Sequence, residues 1–201
     1  MQETFNFIER YGDNFTNKEY VTNPAIGREK EIRDLILILL TPDKSAILTG
    51  KPGIGKTAIV EGLAYRIQNN DVPDALEGYE IVKIDTQSLI GTIPETGDTR
   101  VQALINEIKT KDKFILFIDE IHTLINTDNS SALDFANMFK TGLGRGDIKL
   151  VGATTTEEYE RYILRDKAFV RRFQKIEIAE PTEEQTVEIL MGTLPKIEKQ
   201  T

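Results

Sequence analysis

Beyond residue 23 the apolar positions fall into two alternating patterns, and the alternation predicts an architecture. The segment "REKEIRDLILILL" sets Ile32, Leu35, Ile36 and Leu39 at helical spacing, and Pro42 follows where that helix must stop. Five short runs come after it: "AILT" from Ala46, "YEIVKID" from Tyr79, "FILFID" from Phe114, "IKLVGAT" from Ile148 and "QKIEIAE" from Gln174. Several are apolar on consecutive residues, which suits a strand covered on both faces in a parallel sheet. Residues 56–69, 99–109, 131–140 and 157–162 read as helices between them, so the pattern predicts an α/β three-layer sandwich. The last stretch, "TEEQTVEILMGTLPKIEKQ", opens with a capping-type Thr182 after Pro181, and Pro195 is expected to interrupt or end its helix.

Residues 1–23 follow neither pattern. They are polar with scattered aromatics, Phe5, Phe7, Tyr11, Phe15 and Tyr20, and read as a leader that packs on the domain surface. No basic stretch leads into an apolar run there, and no segment approaches the ~20 apolar residues of a membrane span.

The run "ILTGKPGIGKTAIVEGL" brings chemistry into this frame. Gly50, Gly55, Lys56 and Thr57 satisfy the G-x-x-x-x-G-K-[ST] spacing of a phosphate-binding loop, with an apolar strand before and a helix after. Gly50, Gly53 and Gly55 let the backbone turn its N–H groups toward phosphate oxygens, and the helix adds its positive N-terminal end. Lys56 supplies a full charge and Thr57 a hydroxyl ligand for Mg²⁺. Pro52, Ile54 and Ala58 complete the loop and the first turn. Downstream, "FILFIDE" is an apolar strand ending in two carboxylates. Asp119 is placed to hold the Mg²⁺ shell through water, and Glu120 to orient or deprotonate an attacking water. Together these predict a nucleotide, ATP or ADP, bound with Mg²⁺. For hydrolysis, Thr155 at the end of "VGATT" offers a hydroxyl near the γ-phosphate, and "VRRF" offers Arg171 and Arg172. On spacing alone an ordinary strand-end threonine and a solvated basic pair account for these equally well.

Composition narrows the setting. The chain has 201 residues, enough for one well-cored domain, and a formal net charge of −8 that argues against gripping nucleic acid or an anionic membrane. It has no cysteine, which excludes disulfides and thiolate metal sites and fits a cytoplasmic protein.

Six motifs in order, "NPAIGREKEI", "GKPGIGKTAIVEGLAYRI", "FILFIDEIHTL", "ALDFANMFKTGLGRG", "VGATTTEEYERYI" and "RRFQKIEIAEPTEEQTVEIL", resemble the first ATPase domain of the Clp-type AAA+ unfoldases and disaggregases. The resemblance runs from about Tyr11 to the C-terminus. It implies a P-loop NTPase fold, the AAA+ large subdomain, with a five-stranded parallel sheet between helices. It also implies ATP-driven hexameric rings that remodel or unfold protein substrates. It divides the chain into a leader or linker (1–23), the nucleotide-binding α/β unit (24–181) and the start of a truncated helical lid (182–201). It gives Thr155 the role of first sensor and makes Arg171 and Arg172 fingers that reach the neighbouring subunit's nucleotide. Ile26, Gly27 and Ile189 would frame the adenine, together with Leu190. His122, the only histidine, matches a family histidine and reads as structural. A peptidase ring and a second ATPase domain are partners it leaves open.

One stretch departs from the family. The loop after the second strand, where relatives carry a gripping aromatic, reads "LIGTIPETGDTRVQALI" and holds no aromatic residue. Ile93 is the bulky apolar candidate for the grip, beside a restraining Pro94. Two readings stay open: an aliphatic grip, or a nucleotide-switched scaffold or regulatory module that threads little.

Overall fold

The computed structural model describes residues 6–125, 137 and 148–200. One sheet carries six strands, β1 (Gly12–Asn14), β2 (Ser45–Thr49), β3 (Glu80–Ile84), β4 (Phe114–Ile118), β5 (Lys149–Thr154) and β6 (Phe173–Glu177). Their order is β1-β3-β4-β5-β2-β6. All five predicted runs are strands, and they pair in parallel. Every residue of β2 and β4 is buried, as consecutive apolar residues require. Alternate residues serve opposite faces: Leu116 and Ile118 pack in one apolar cluster, Ile115 and Phe117 in the other.

The described helices are α1 (Phe7–Tyr11), α2 (Glu29–Leu40), α3 (Lys56–Gln68), α4 (Arg100–Ile108), α5 (His122–Ile125), α6 (Thr156–Glu158), α7 (Lys167–Arg172) and α8 (Glu183–Gln200). α2 buries Ile32, Leu35, Ile36 and Leu39, the positions its periodicity marks. The helix expected over 131–140 and the motif "ALDFANMFKTGLGRG" lie outside the described residues, apart from Asn137.

Three expectations change. The sheet has six strands and not five, because β1 adds an antiparallel edge, Gly12 facing Ile84 and Asn14 facing Val82. A polar three-residue strand has no apolar period to reveal it. The leader also does more than lie on the surface: Phe7 and Phe15 are fully buried, and Phe15 meets Phe117 of β4 with ring centroids 5.8 Å apart. Glu107 of α4 ties α1 down by accepting the Phe7 N–H at 2.8 Å and the Ile8 N–H at 3.3 Å. Finally, Pro195 sits inside α8 without ending it. The carbonyl it leaves without a donor belongs to Met191, which is 63% exposed, so water can take the place of the missing N–H.

Because Phe15 fills the core between the leader and the sheet, Phe15→Ala should cost about 3 kcal/mol of unfolding free energy. Urea denaturation measures it, and a loss below about 1 kcal/mol would show the leader to be dispensable to the core.

Candidate active site

Strands β2, β5 and β4 are neighbours and parallel, so the segments that follow them emerge along one edge of the sheet. Ligand sites of open α/β sheets collect at such carboxyl ends. After β2 comes the glycine-rich loop, after β4 Asp119 and Glu120, and after β5 Thr155. These segments share a cavity of about 440 Å³ lined by Pro52, Gly53, Gly55, Lys56, Thr57, Asp119, Glu120, His122, Thr154, Thr155 and Glu158. Eight of the expected site residues, Pro52, Gly53, Gly55, Lys56, Thr57, Asp119, Glu120 and Thr155, are thereby brought to one place by strand order.

The loop is shaped for an anion. Gly53 and Gly55 have φ of +77° and +106°, and a Cβ at either would project into open space. Glycine is needed there for the dihedral, and the space in front of the backbone is free for a ligand to approach. Gly55 caps α3 with no side-chain hydrogen bond, and the first turn holds no acidic residue. The helix therefore offers its N–H groups and positive end with no internal anion competing. Lys56 Nζ donates to the carbonyls of Gly50 at 2.8 Å and Lys51 at 3.1 Å. Burial holds its pKa below the ordinary lysine value, with Asp119 pulling the other way.

The acidic side is strained. Glu120 has φ +50°, the left-handed region that a residue with a Cβ rarely adopts, and its N–H donates to Asp119 Oδ1 at 2.8 Å. This turn leaves the Glu120 side chain exposed and Asp119 partly buried beside the loop. Thr155 Oγ1 accepts the N–H of Glu158 at 3.1 Å, so its own O–H is left to donate. His122 lines the cavity while its Nδ1 bonds Thr154 Oγ1 at 2.8 Å, and its ring stacks on Tyr162 at 6.2 Å. Among the described residues no three His, Cys, Asp or Glu side chains cluster as a metal site. Thr57 with Asp119 suits Mg²⁺, which keeps waters and takes phosphate oxygens with only one or two protein ligands.

Other expected residues lie elsewhere. Ile54 packs against the core and Ala58 sits in the first turn of α3. Ile26, Gly27 and Ile189 do not line the cavity but meet one another against α8: a side chain at position 27 would touch Ile189, and one at Gly192 would collide with Ile26. Arg171 and Arg172 close α7 and precede β6, whose register pairs Phe173 with Ser45 and Glu177 with Thr49. They therefore sit level with the start of β2, roughly 16 Å from the phosphate loop at its other end. Ile93, the candidate for the grip, is not at the surface. It is 2% exposed, turned into the core, and its backbone closes a tight turn with Asp98 while Thr92 bridges Thr99. Sequence reasoning missed Glu158, whose only signal was its place one turn beyond Thr155.

A phosphate cradle, an acidic strand end and an inserted strand bearing a threonine define a P-loop nucleotide site. The model of the ATPase family associated with various cellular activities (AAA) matches residues 46–180, and the chain belongs to that family. Over 198 residues it is 48% identical to the chaperone protein ClpB of Aquifex aeolicus, covering 96% of this chain and 20% of that protein. It is 45% identical to the ClpA homolog, an ATP-dependent Clp protease ATP-binding subunit, of Guillardia theta, covering 96% and 24%. Among solved structures it is similar to Hsp104 in a closed state with ATPγS and FITC casein, TM-score 0.84 and 40% identity over 97% of this chain and 34% of that one. The S. cerevisiae Hsp104–ADP complex matches with TM-score 0.80 and 42% identity, covering 96% and 34%. The chain thus spans about a fifth to a quarter of these curated relatives. No helix among the described residues is long and apolar enough to cross a membrane.

The lowered Lys56 pKa has a signed consequence. Between the folded value and the ordinary 10.5 the unfolded chain holds more protons, so stability rises with pH across that window. Thermal melts should show a steeper rise in the wild type than in Lys56→Met, which keeps the parallel contribution of Lys149, whose pKa burial also lowers. The same pH dependence in both would assign it to other groups.

Proposed function

We propose that the chain binds ATP with Mg²⁺ and hydrolyses it, in a ring of copies that remodels protein substrates. One observation carries the catalytic part: Lys56, Thr57, Asp119, Glu120 and Thr155 line a single cavity at the carboxyl edge of the sheet. Mg²⁺, when bound, neutralises charge on the phosphates, and Thr57 and Asp119 are the residues to hold it, Asp119 through water. The N–H groups of the loop and the Lys56 ammonium bind the β and γ phosphates. Glu120 takes a proton from water as the water oxygen bonds to the γ-phosphorus. The bond from that phosphorus to the bridging oxygen breaks, and ADP leaves. The Thr155 O–H holds the γ-phosphate or the water. Ile26, Gly27 and Ile189 frame the adenine at the base of α8.

Ring assembly has its own support. Arg171 and Arg172 sit at the opposite end of β2 from the loop, too far to serve their own site, so their use on a γ-phosphate requires a second copy. Relatives have been seen with protein: Hsp104 was solved in complex with casein. A hexamer acting in the cytoplasm is the assembly we assign, with a protein substrate and no role for nucleic acid or membrane. A second reading, a nucleotide-switched scaffold with little threading, draws on Ile93: with that side chain buried, the loop tip exposes Pro94, Glu95, Thr96 and Asp98, and the exposed bulky apolar residue of this stretch is Ile90, at the foot of the loop.

ATPase activity per subunit should rise with protein concentration. Glu120→Gln should abolish it, and Arg171→Ala should lower it by about 10³-fold while leaving nucleotide binding intact. Activity independent of concentration and indifferent to Arg171 would exclude sharing of sites. Bound nucleotide with no turnover at any concentration would favour the switch.

A further inference from the structure

The chemistry proposed above uses Arg171 and Arg172 but not what holds them. They close α7, a helix of six residues, and a helix that short has too few internal hydrogen bonds to fix its own position. Two contacts tie it down. Phe169 is fully buried and stacks on Phe173 of β6 with ring centroids 5.5 Å apart. Toward the C-terminal end, Lys44 Nζ donates to the carbonyl of Arg171 at 2.8 Å, across 127 positions of sequence.

Lys44 is itself firmly set. It ends a turn in which its N–H donates to the Thr41 carbonyl at 3.3 Å, with Pro42 restricting one dihedral and Asp43 in the left-handed region at φ +60°. The next residue, Ser45, opens β2 and pairs with Phe173. The lysine thus joins the helix that bears the arginines to the strand that leads into the phosphate loop. The carbonyl it takes belongs to a helix end without N–H partners, where a basic side chain of the last turn readily folds back. With Lys44 on that carbonyl neither arginine is drawn onto it, and the like charge favours guanidiniums that point away. Neither arginine forms an ion pair among the described residues, so both remain available to an anion.

We propose that Lys44 is a positioning residue for the arginine pair: it fixes the backbone from which they reach the γ-phosphate held by a neighbouring copy. The inference rests on the shared-site reading given above. Lys44 sits at the opposite end of β2 from the phosphate loop, so its loss affects the neighbour's site and not its own.

Lys44→Met keeps the stem of the side chain and removes the donor. Its melting temperature should stay near that of the wild type, because the lost hydrogen bond lies at the surface. KM for ATP should stay within about twofold while kcat falls about ten- to hundredfold. Lys44→Arg, which keeps a cationic donor, should retain most of the wild-type rate. Mixed assemblies give the deciding readout. Glu120→Gln subunits lack a working site but keep their arginines, so in excess they should raise turnover per Lys44→Met subunit at least about threefold. Arg171→Ala subunits mixed in the same way are the control. Rescue of Arg171→Ala without rescue of Lys44→Met would overturn the role of Lys44 alone. So would an unchanged kcat, or a loss carried by KM, which marks damage to the lysine's own site. No rescue of Arg171→Ala, or a wild type without turnover at any concentration, would overturn the shared-site reading and this inference with it.

Discussion

The structure turns on an unmet demand for hydrogen bonds at the start of α3. A helix leaves its first N–H groups without intrahelical acceptors, and most helices answer with a capping side chain or an acidic first turn. α3 has neither, and it begins at a glycine held at φ +106°. That arrangement is useful only if the loop is held rigidly, and the rigidity comes from β2, buried at every position between β5 and β6. The two apolar clusters on either face of the sheet thus serve the chemistry by fixing where the strand ends. Lys56 shows the tension directly: its charge sits where burial disfavours it, in the cavity that the glycine-rich loop lines.

Strand order does the rest. β5 lies between the strand that leads into the phosphate loop and the strand that ends in Asp119 and Glu120, so Thr155 arrives between cation and carboxylates. The left-handed backbone at Glu120 aims its side chain away from the strand axis, a strain the neighbouring Asp119 helps hold by accepting the Glu120 N–H. The arginines fall at the far end because α7 enters β6 at Phe173, opposite Ser45.

Most of this was legible in sequence because burial on both faces leaves a continuous apolar signature. β2, β4 and β5 are readable for that reason, and the residues just past their ends are the loop, the acidic pair and the threonine. What escaped obeys local geometry without apolar period. "GDN" carries no strand signal, and only pairing with β3 makes it β1. Ile93 read as an exposed tip because sequence does not say which way a turn residue points, and the Ile93–Asp98 closure directs it inward. Pro195 read as a stop because its exposure, and hence the access of water to the Met191 carbonyl, is a property of the folded surface. Glu158 carried no motif at all; only the three-dimensional proximity of α6 to the phosphate loop reveals it.

The most direct test of the central claim is calorimetric titration of the chain with ATP in the presence of Mg²⁺, wild type beside Lys56→Ala. A cradle of backbone N–H groups completed by one ammonium predicts saturable binding of one ATP per chain, weakened by about tenfold or more when that ammonium is removed. Equal affinity in the two proteins would contradict the account, because the cavity at the end of β2 would then not be the place where the phosphates sit.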